Sequence, residues 1–136
     1  MNHIMRFLTI LSLLFCLHHE ILGDIADHVV INEVYYDVAG SDEDEFVELY
    51  NPTEDDVNLS GWYSGDEEST TGGEGYGQFP PGTVIPAQGY LLVAKNSTAF
   101  AQAFGFAPDV EMTFALNNGG DEILLARRIM PNTWMS

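Results

Sequence analysis

The chain has 136 residues, which is enough for one ordinary domain and too few for two. Its 21 Asp and Glu residues outnumber four Lys and Arg residues, so the formal net charge is −17 at pH 7. A surface with this charge repels the phosphates of nucleic acids and of anionic lipids. We therefore expect no nucleic-acid partner.

The first 23 residues have the composition of a secretory signal peptide. Arg6 precedes an almost unbroken apolar run over residues 7–17, and the segment ends with a small residue, Gly23. The run is shorter than the roughly 20 apolar residues that a membrane span needs. We expect a signal-peptide helix over 1–23, cleaved after Gly23, and a short linker over 24–28.

Cleavage would leave a secreted protein, extracellular or periplasmic, with no remaining membrane segment. Cleavage after Ala26 is an alternative, and an uncleaved anchor or a buried helix is the alternative to a signal peptide. Removing residues 1–23 also removes the single cysteine, Cys16, so the exported domain would rely on its core without disulfides. The net charge would stay at −17, because one acid, Glu20, and one base, Arg6, leave together.

Two alternating apolar segments predict the first strands. Residues 29–36 (VVINEVYY) are rich in β-branched and aromatic residues. Residues 46–51 predict a second strand, which Pro52 ends because proline cannot continue a ladder. The acids of 41–45 are expected in a solvated loop that precedes this strand. Strict alternation in the first strand would place on one face Val29, Ile31, Glu33 and Tyr35.

The middle of the chain is rich in turn residues. Residues 57–63 (VNLSGWY) predict one strand, in which Gly61 marks a bulge or a close backbone approach. Residues 64–78 combine Gly, Ser, Thr and acids and predict a mobile loop. Residues 80–83 (PPGT) predict a turn with proline second and glycine third, and 86–89 (PAQG) predict another.

The last third predicts one short helix between further strands. Residues 89–95 (GYLLVAK) have the length of a buried strand. Ser97 and Thr98 are candidate caps for a helix that runs to Phe104, and Gly105 is its expected stop. Residues 112–126 predict two strands around an Asn118-Gly119 hairpin turn. About seven short strands with closely spaced turns predict an all-β sandwich or a small barrel.

The order of these segments resembles the lamin tail domain family, over roughly residues 29–125. The segments are INEV, EFVELYNP, VNLSGWY, FPPGTVIPAQGYLLVA and LNNGGDEILL. The resemblance implies an immunoglobulin-like β-sandwich over 29–126, of a secreted bacterial type, that binds or anchors rather than catalyses. The structural motif expected from the strands and the resemblance comprises Glu33, Glu48, Asn51, Leu59, Gly61, Trp62, Phe79, Pro80, Gly82, Pro86, Gly89, Asn118 and Gly119.

The sequence departs from the family pattern near its end. The family continues after the hairpin with another turn and a closing strand, whereas residues 127–136 contain Pro131 and stop. We expect an irregular tail without the closing strand, from a truncated or frame-shifted gene or from a domain that closes differently. A missing strand would expose an edge that can pair with another chain.

Few residues suit catalysis. His28 is the only histidine after residue 23, and the chain has no Gly-x-Ser-x-Gly motif. Glu33 and Glu48 are both predicted inside strands, so a glycosidase-like pair is one hypothesis. The other is that each carboxylate accepts nearby hydrogen bonds or faces water. We assign no catalytic residue.

The acid-rich stretch from Asp37 to Glu48 has the length of an EF-hand loop but not its pattern. Asp42 stands where an EF-hand requires glycine. An irregular calcium site is the remaining alternative, and no other cofactor is expected. Its candidate ligands are Asp37, Asp42, Asp44 and either Asp66 or Glu67.

Aromatic residues divide between the expected core and an expected surface. Trp62 is expected in the core, and Tyr76 is expected as an exposed contact. The leading hypothesis is a secreted, acidic, non-catalytic module that binds or anchors a protein or a cell-envelope component through loops or an exposed edge. The alternatives are a calcium-stabilised extracellular module and a small hydrolase that uses Glu33 and Glu48.

Overall fold

The computed structural model describes residues 26–36, 43–65, 76–114, 116 and 122–127. This part of the chain contains short strands and one helix, so the prediction of an all-β domain is confirmed. The elements are β1 (Val30–Tyr35), β2 (Phe46–Tyr50), β3 (Val57–Asn58), β4 (Tyr63–Gly65), β5 (Tyr76–Gln78), β6 (Val84–Ile85), β7 (Tyr90–Ala94), α1 (Ser97–Phe104), β8 (Val110–Glu111) and β9 (Leu124–Ala126).

The strands form three sheets. The largest has the order β1-β2-β7-β8, the second pairs β3 with β6, and the third has the order β5-β4-β9. All pairs are antiparallel except β7 and β8, in which Val93 lies opposite Val110. A parallel pair needs a long crossover connection, and α1 lies in that connection.

One hydrophobic core fills the space between the four-stranded sheet and the two smaller sheets. Alternation in β2 directs Val47 and Leu49 into this core, where both are fully buried. The smaller sheets and their connections contribute Leu59, Phe79 and Ile85, which are equally buried. Each such side chain contributes about 1.5–3 kcal/mol on burial. The domain is therefore a sandwich with one shared interior.

A glycine in one layer leaves room for a core side chain near the other. Gly77 is the middle residue of β5, and a Cβ added there would collide with the side chain of Met112. Met112 is buried in the shared core just after β8. Glycine at this point therefore leaves the volume that the methionine fills.

β1 does not alternate strictly, because it contains a bulge. Ile31 lies opposite Leu49 and Glu33 lies opposite Glu48, so Asn32 is an extra residue in the ladder. Ile31 consequently packs against the shared core, whereas Tyr35 packs on the opposite side of the sheet. The prediction that Val29, Ile31, Glu33 and Tyr35 share one face is wrong, because Val29 and Ile31 pack against the shared core and Tyr35 does not.

Residues 57–63 form two strands rather than one. Gly61 has a φ of +78°, and the Trp62 N–H donates to the Leu59 carbonyl at 2.9 Å, which closes a turn between β3 and β4. The predicted loop over 64–78 is also wrong at both ends, because Ser64 and Gly77 are paired residues of β4 and β5. Residues 66–75 lie outside the described part.

The two predicted proline turns are confirmed. The Thr83 N–H donates to the Pro80 carbonyl at 3.2 Å across a turn whose third residue, Gly82, has a φ of +88°. The Gly89 N–H donates to the Pro86 carbonyl at 3.0 Å. Both turns connect strands that line the core, and they fix where β6 and β7 begin.

The predicted helix is confirmed, but its cap is a different residue. The Asn96 side chain accepts hydrogen bonds from the N–H groups of Thr98 and Ala99, both at 3.0 Å. Gly105 ends the helix with a φ of +83°, as expected from the sequence. Ser97 is instead the first helical residue, so the prediction of a cap at 97 or 98 is wrong.

The predicted hairpin over 112–126 is only partly described. Residues 112–114 are not in a strand, which differs from the prediction. β9 pairs with β4, where Leu125 lies opposite Ser64. The Asn118-Gly119 turn, the signal segment 1–23 and the tail beyond residue 127 lie outside the described residues.

No helix in the described ranges is long and apolar enough to cross a membrane.

Candidate functional site

The outer face of the four-stranded sheet carries three rows of side chains. The register places Tyr35 beside Phe46, Glu33 beside Glu48, and Tyr50 beside Tyr90. These residues point away from the shared core, because their neighbours Val47 and Leu49 point into it. The three rows differ in what covers them.

The helix α1 covers the row that contains Phe46. Phe100, which is 1% exposed, makes an edge-to-face contact with Phe46 at 5.4 Å between ring centroids. Tyr35 stacks on Phe46 at 5.2 Å. We call this group the aromatic cap. Its members are Tyr35, Phe46, Phe100, Phe104 and Phe106.

The opposite end of the same face has no such cover among the described residues. Tyr50 and Tyr90 stack with ring centroids 4.7 Å apart, and Tyr90 remains 55% exposed. We call this end, together with the middle row, the tyrosine face. It comprises Val30, Glu33, Glu48, Tyr50, Tyr90 and Leu92.

The sheet brings Glu33 and Glu48 directly opposite each other. Glu33 is exposed, Glu48 is half-buried, and the Asn32 side-chain amide donates to Glu48 Oε1 at 2.6 Å. The two carboxylates therefore lie on an open sheet face. A glycosidase needs its two carboxylates on either side of a bound sugar ring. The arrangement fits the hypothesis of hydrogen-bonded, water-facing glutamates better than that of a catalytic pair.

Sequence reasoning missed a buried acid at Glu45. Its side chain is 0% exposed, and the Lys95 ammonium lies 3.2 Å from its Oε2. The expectation that the acids of 41–45 are all solvated is thus wrong for Glu45. The two-residue period gave a signal, because Glu45 shares the core-facing side of β2 with Val47 and Leu49.

Asn51 is a structural centre rather than a reactive group. It is fully buried, and its amide donates to the carbonyls of Asp55 at 2.8 Å and Pro86 at 3.0 Å. Its side-chain oxygen accepts from the Thr53 hydroxyl at 2.8 Å. Asn51 therefore joins the end of β2 to the turn before β7.

The other motif residues occupy structural positions. Leu59 and Phe79 are in the core, as described above, and Trp62 packs against it. The Arg127 guanidinium lies over the Trp62 ring at 4.9 Å from its centroid. Pro80, Gly82, Pro86 and Gly89 form the two turns. Nothing is described of the Tyr76 side chain, so its exposure stays a prediction.

The calcium candidates are mostly outside the described residues. Asp44 lies in the bend before β2, and the other candidates, Asp37, Asp42, Asp66 and Glu67, are outside the described part. Within the described ranges, no three or more His, Cys, Asp or Glu residues cluster closely enough to hold a metal ion. A calcium site that uses the remaining candidates stays a hypothesis.

A groove of about 550 Å³ adjoins the tyrosine face at Tyr90. It runs between the proline turn with Val84 and the start of β8. Its two acids make local hydrogen bonds: Asp109 accepts from the Leu92 N–H and Glu111 from the Ser97 N–H, each at 2.8 Å. The Ser97 N–H lowers the pKa of Glu111. These acids order the sheet and the helix start.

His28 lies at the surface before β1. It contacts Asp27 at 2.9 Å, and the hydrogen bond between them lowers the pKa of the Asp27 carboxyl. Both side chains are largely exposed. His28 is therefore solvated and has no catalytic partner in the hydrogen bonds of the described residues.

These features define an all-β sandwich with one core between its sheets, a second apolar cluster under α1, ordered turns and an aromatic surface. The sequence model named Lamin Tail Domain matches residues 25–129, most of the chain. The chain belongs to this family, whose members have an immunoglobulin-like, non-catalytic fold. No curated protein and no solved structure matches the chain.

Proposed function

We propose that this protein is an exported, non-catalytic module that binds or anchors a partner through its tyrosine face. The partner would be a protein or a cell-envelope component. Family membership supports the general role, since the lamin tail domain is an immunoglobulin-like interaction fold. The signal-like sequence at residues 1–23 supports export.

The observation that carries the proposal is the unequal cover of one sheet face. α1 buries Phe46 at one end, whereas Tyr90 at the other end is 55% exposed. Large aromatic side chains left exposed beside polar ones are typical of binding surfaces. In the described part of the chain, the opposed glutamates lie on an open sheet face rather than in a cleft, which supports binding over catalysis.

Export is tested by expressing the whole chain in a host with a secretory pathway and sequencing the N-terminus of the exported product. We expect the product to begin at residue 24, or at residue 27 if cleavage follows Ala26. A product that stays with the cells and keeps residues 1–23 would contradict export.

Binding is tested by retention of the exported protein on washed cell-envelope material. We expect Tyr90→Ser to reduce retention severalfold. Tyr36→Ser is the matched control, because Tyr36 is 46% exposed and lies outside the tyrosine face. Equal retention of both variants and the unchanged protein would contradict a role for this face. Turnover in a panel of glycosides and esters that Glu48→Gln abolishes would instead support the hydrolase alternative.

A further inference from the structure

We infer that the tyrosine face binds an arginine- or lysine-bearing segment of a basic protein. This inference rests on the proposed function and names the chemistry of the partner. Three features carry it: the charge of the chain, the opposed glutamates, and the stacked tyrosines beside them. The first two favour a cationic group, and the third favours a side chain with an apolar stem.

The charge of the chain favours a basic occupant. The net charge is −17, with only four Lys and Arg residues. Two of these lie in the described part, and both are engaged: Lys95 with the buried Glu45, and Arg127 over the Trp62 ring. Complementary charge steers a basic partner to this surface and disfavours acidic partners.

The middle row of the tyrosine face places two like charges across a ladder. Glu33 and Glu48 are direct partners of β1 and β2, and like charges in such positions destabilise a sheet. Asn32 orients Glu48 by its hydrogen bond at 2.6 Å. A guanidinium or ammonium group between the two carboxylates would remove their repulsion and form charge-assisted hydrogen bonds.

The end row supplies a surface for the rest of the cationic side chain. Tyr50 and Tyr90 stack at 4.7 Å, and the exposed ring of Tyr90 can attract a cation through its face. Same-face residues two apart along a strand are separated by about 7 Å, which a lysine or arginine side chain can span. The methylene groups of its stem can lie on Leu92 and Val30, which are half-buried.

The rival occupant is a polysaccharide, because aromatic rings can also stack on sugars. A neutral sugar would not require the acids of the middle row. The dependence of binding on Glu33 and Glu48 therefore separates the two. The aromatic cap differs from this face because α1 already covers Phe46, although Phe104 and Phe106 at its outer edge are exposed.

The test uses the protein expressed from the whole chain and a capped peptide of alternating arginine and glycine as the probe. The control probe has citrulline in place of arginine, which keeps the shape and removes the charge. Binding is measured by calorimetry at low and at physiological ionic strength. We expect the arginine peptide to bind, more weakly as salt rises, and the citrulline peptide not to bind.

Variants then localise the site. Tyr90→Ser should weaken binding about threefold to fivefold, whereas Tyr90→Phe, which keeps the ring, should bind as the unchanged protein does. The double variant Glu33→Gln/Glu48→Gln should lose about fivefold or more. Its matched control is Glu43→Gln/Asp44→Asn, which removes the same charge before β2 and should change binding less than about twofold.

Several results would overturn the inference. Equal losses in the two double variants would show general charge attraction rather than a site. Binding of soluble polysaccharides that depends on Tyr90 but not on the glutamates would show a sugar surface. If no peptide binds but envelope retention still depends on Tyr90, the partner class is wrong and the proposed function stands. If neither peptide binding nor Tyr90-dependent envelope retention is observed, both the partner class and the proposed function are wrong.

Discussion

The two ends of the outer sheet face contain the same kinds of side chain but have different surroundings. At one end Tyr35 and Phe46 stack, and α1 places Phe100 over them. At the other end Tyr50 and Tyr90 stack in a similar way, and Tyr90 is left 55% exposed. An aromatic pair is therefore structural where a second element covers it and available for contact where none does. The residue types alone do not separate the two cases.

The position of α1 follows from the end of β7. Lys95 continues that strand and pairs with the buried Glu45, and Asn96 then caps the helix. The helix consequently begins beside Phe46 and reaches only one end of the sheet. The ion pair and the cap together determine which half of the face is covered.

The largest expected effect is a difference in stability between substitutions at the two aromatic ends of the sheet face. Phe100→Ala should lower the free energy of unfolding by about 3–5 kcal/mol, because it empties a buried site in the aromatic cap. Tyr90→Ala should cost less than about 1 kcal/mol, since much of its ring already contacts water. Urea denaturation of both variants measures the difference. Similar losses would contradict the distinction between a structural and an available pair.

A second substitution tests the ion pair that positions the helix. Lys95→Met should destabilise the domain by about 3 kcal/mol, because it removes the ammonium group beside a carboxylate that is 0% exposed. The double variant Glu45→Leu/Lys95→Met should recover most of this loss, since apolar residues can replace a buried pair. Thermal unfolding of the unchanged protein, Lys95→Met and the double variant measures these changes in stability. A double variant no more stable than Lys95→Met would contradict this interpretation.

A smaller and opposite effect is expected in the tyrosine face. Glu33→Lys should stabilise the domain by about 0.5 kcal/mol, because it places a cation opposite Glu48 instead of a like charge. The same variant should lose binding to the arginine peptide. Glu33→Gln is the control and should give a smaller gain. Denaturation at low and high salt would show whether the gain is electrostatic; a gain that salt does not reduce would contradict that cause.

The smallest expected effect is a pH dependence of stability that comes from Glu111, which accepts a hydrogen bond at the start of α1. The Ser97 N–H lowers the pKa of Glu111 in the folded state, so Glu111 adds stability above the unfolded-state pKa of that carboxyl. This contribution is lost as the pH falls through the lower, folded-state pKa. Stability curves of the unchanged protein and Glu111→Gln should therefore converge in acid. A difference that stays constant from neutral to acidic pH would contradict this role.

Much of the fold followed from local patterns. The alternation in residues 46–50, the two proline turns and Gly105 after the helix each act within a few residues, and the structure has all of them. The resemblance to the lamin tail domain joined these segments into one architecture, which the family match confirms.

The features that sequence reasoning missed depend on contacts between distant segments. The bulge at Asn32 appears only when β1 pairs with β2, because the local sequence alternates without a visible break. Glu45 was grouped with its acidic neighbours, and its partner Lys95 lies 50 residues further along. Prediction of the tyrosine face requires the register of β2 and β7, since Tyr50 and Tyr90 meet only in the paired sheet.

The missing side chain at Gly77 leaves the volume in which Met112 packs. Packed sheets usually lie about 10 Å apart, and Met112 reaches across this spacing to occupy the space beside Gly77. A methyl group at residue 77 would compete with the methionine for the same volume. Either the flexible methionine side chain would have to leave this volume, or β5 and its partner β4 would have to shift. One hydrogen atom in place of a side chain thus determines where a core methionine packs.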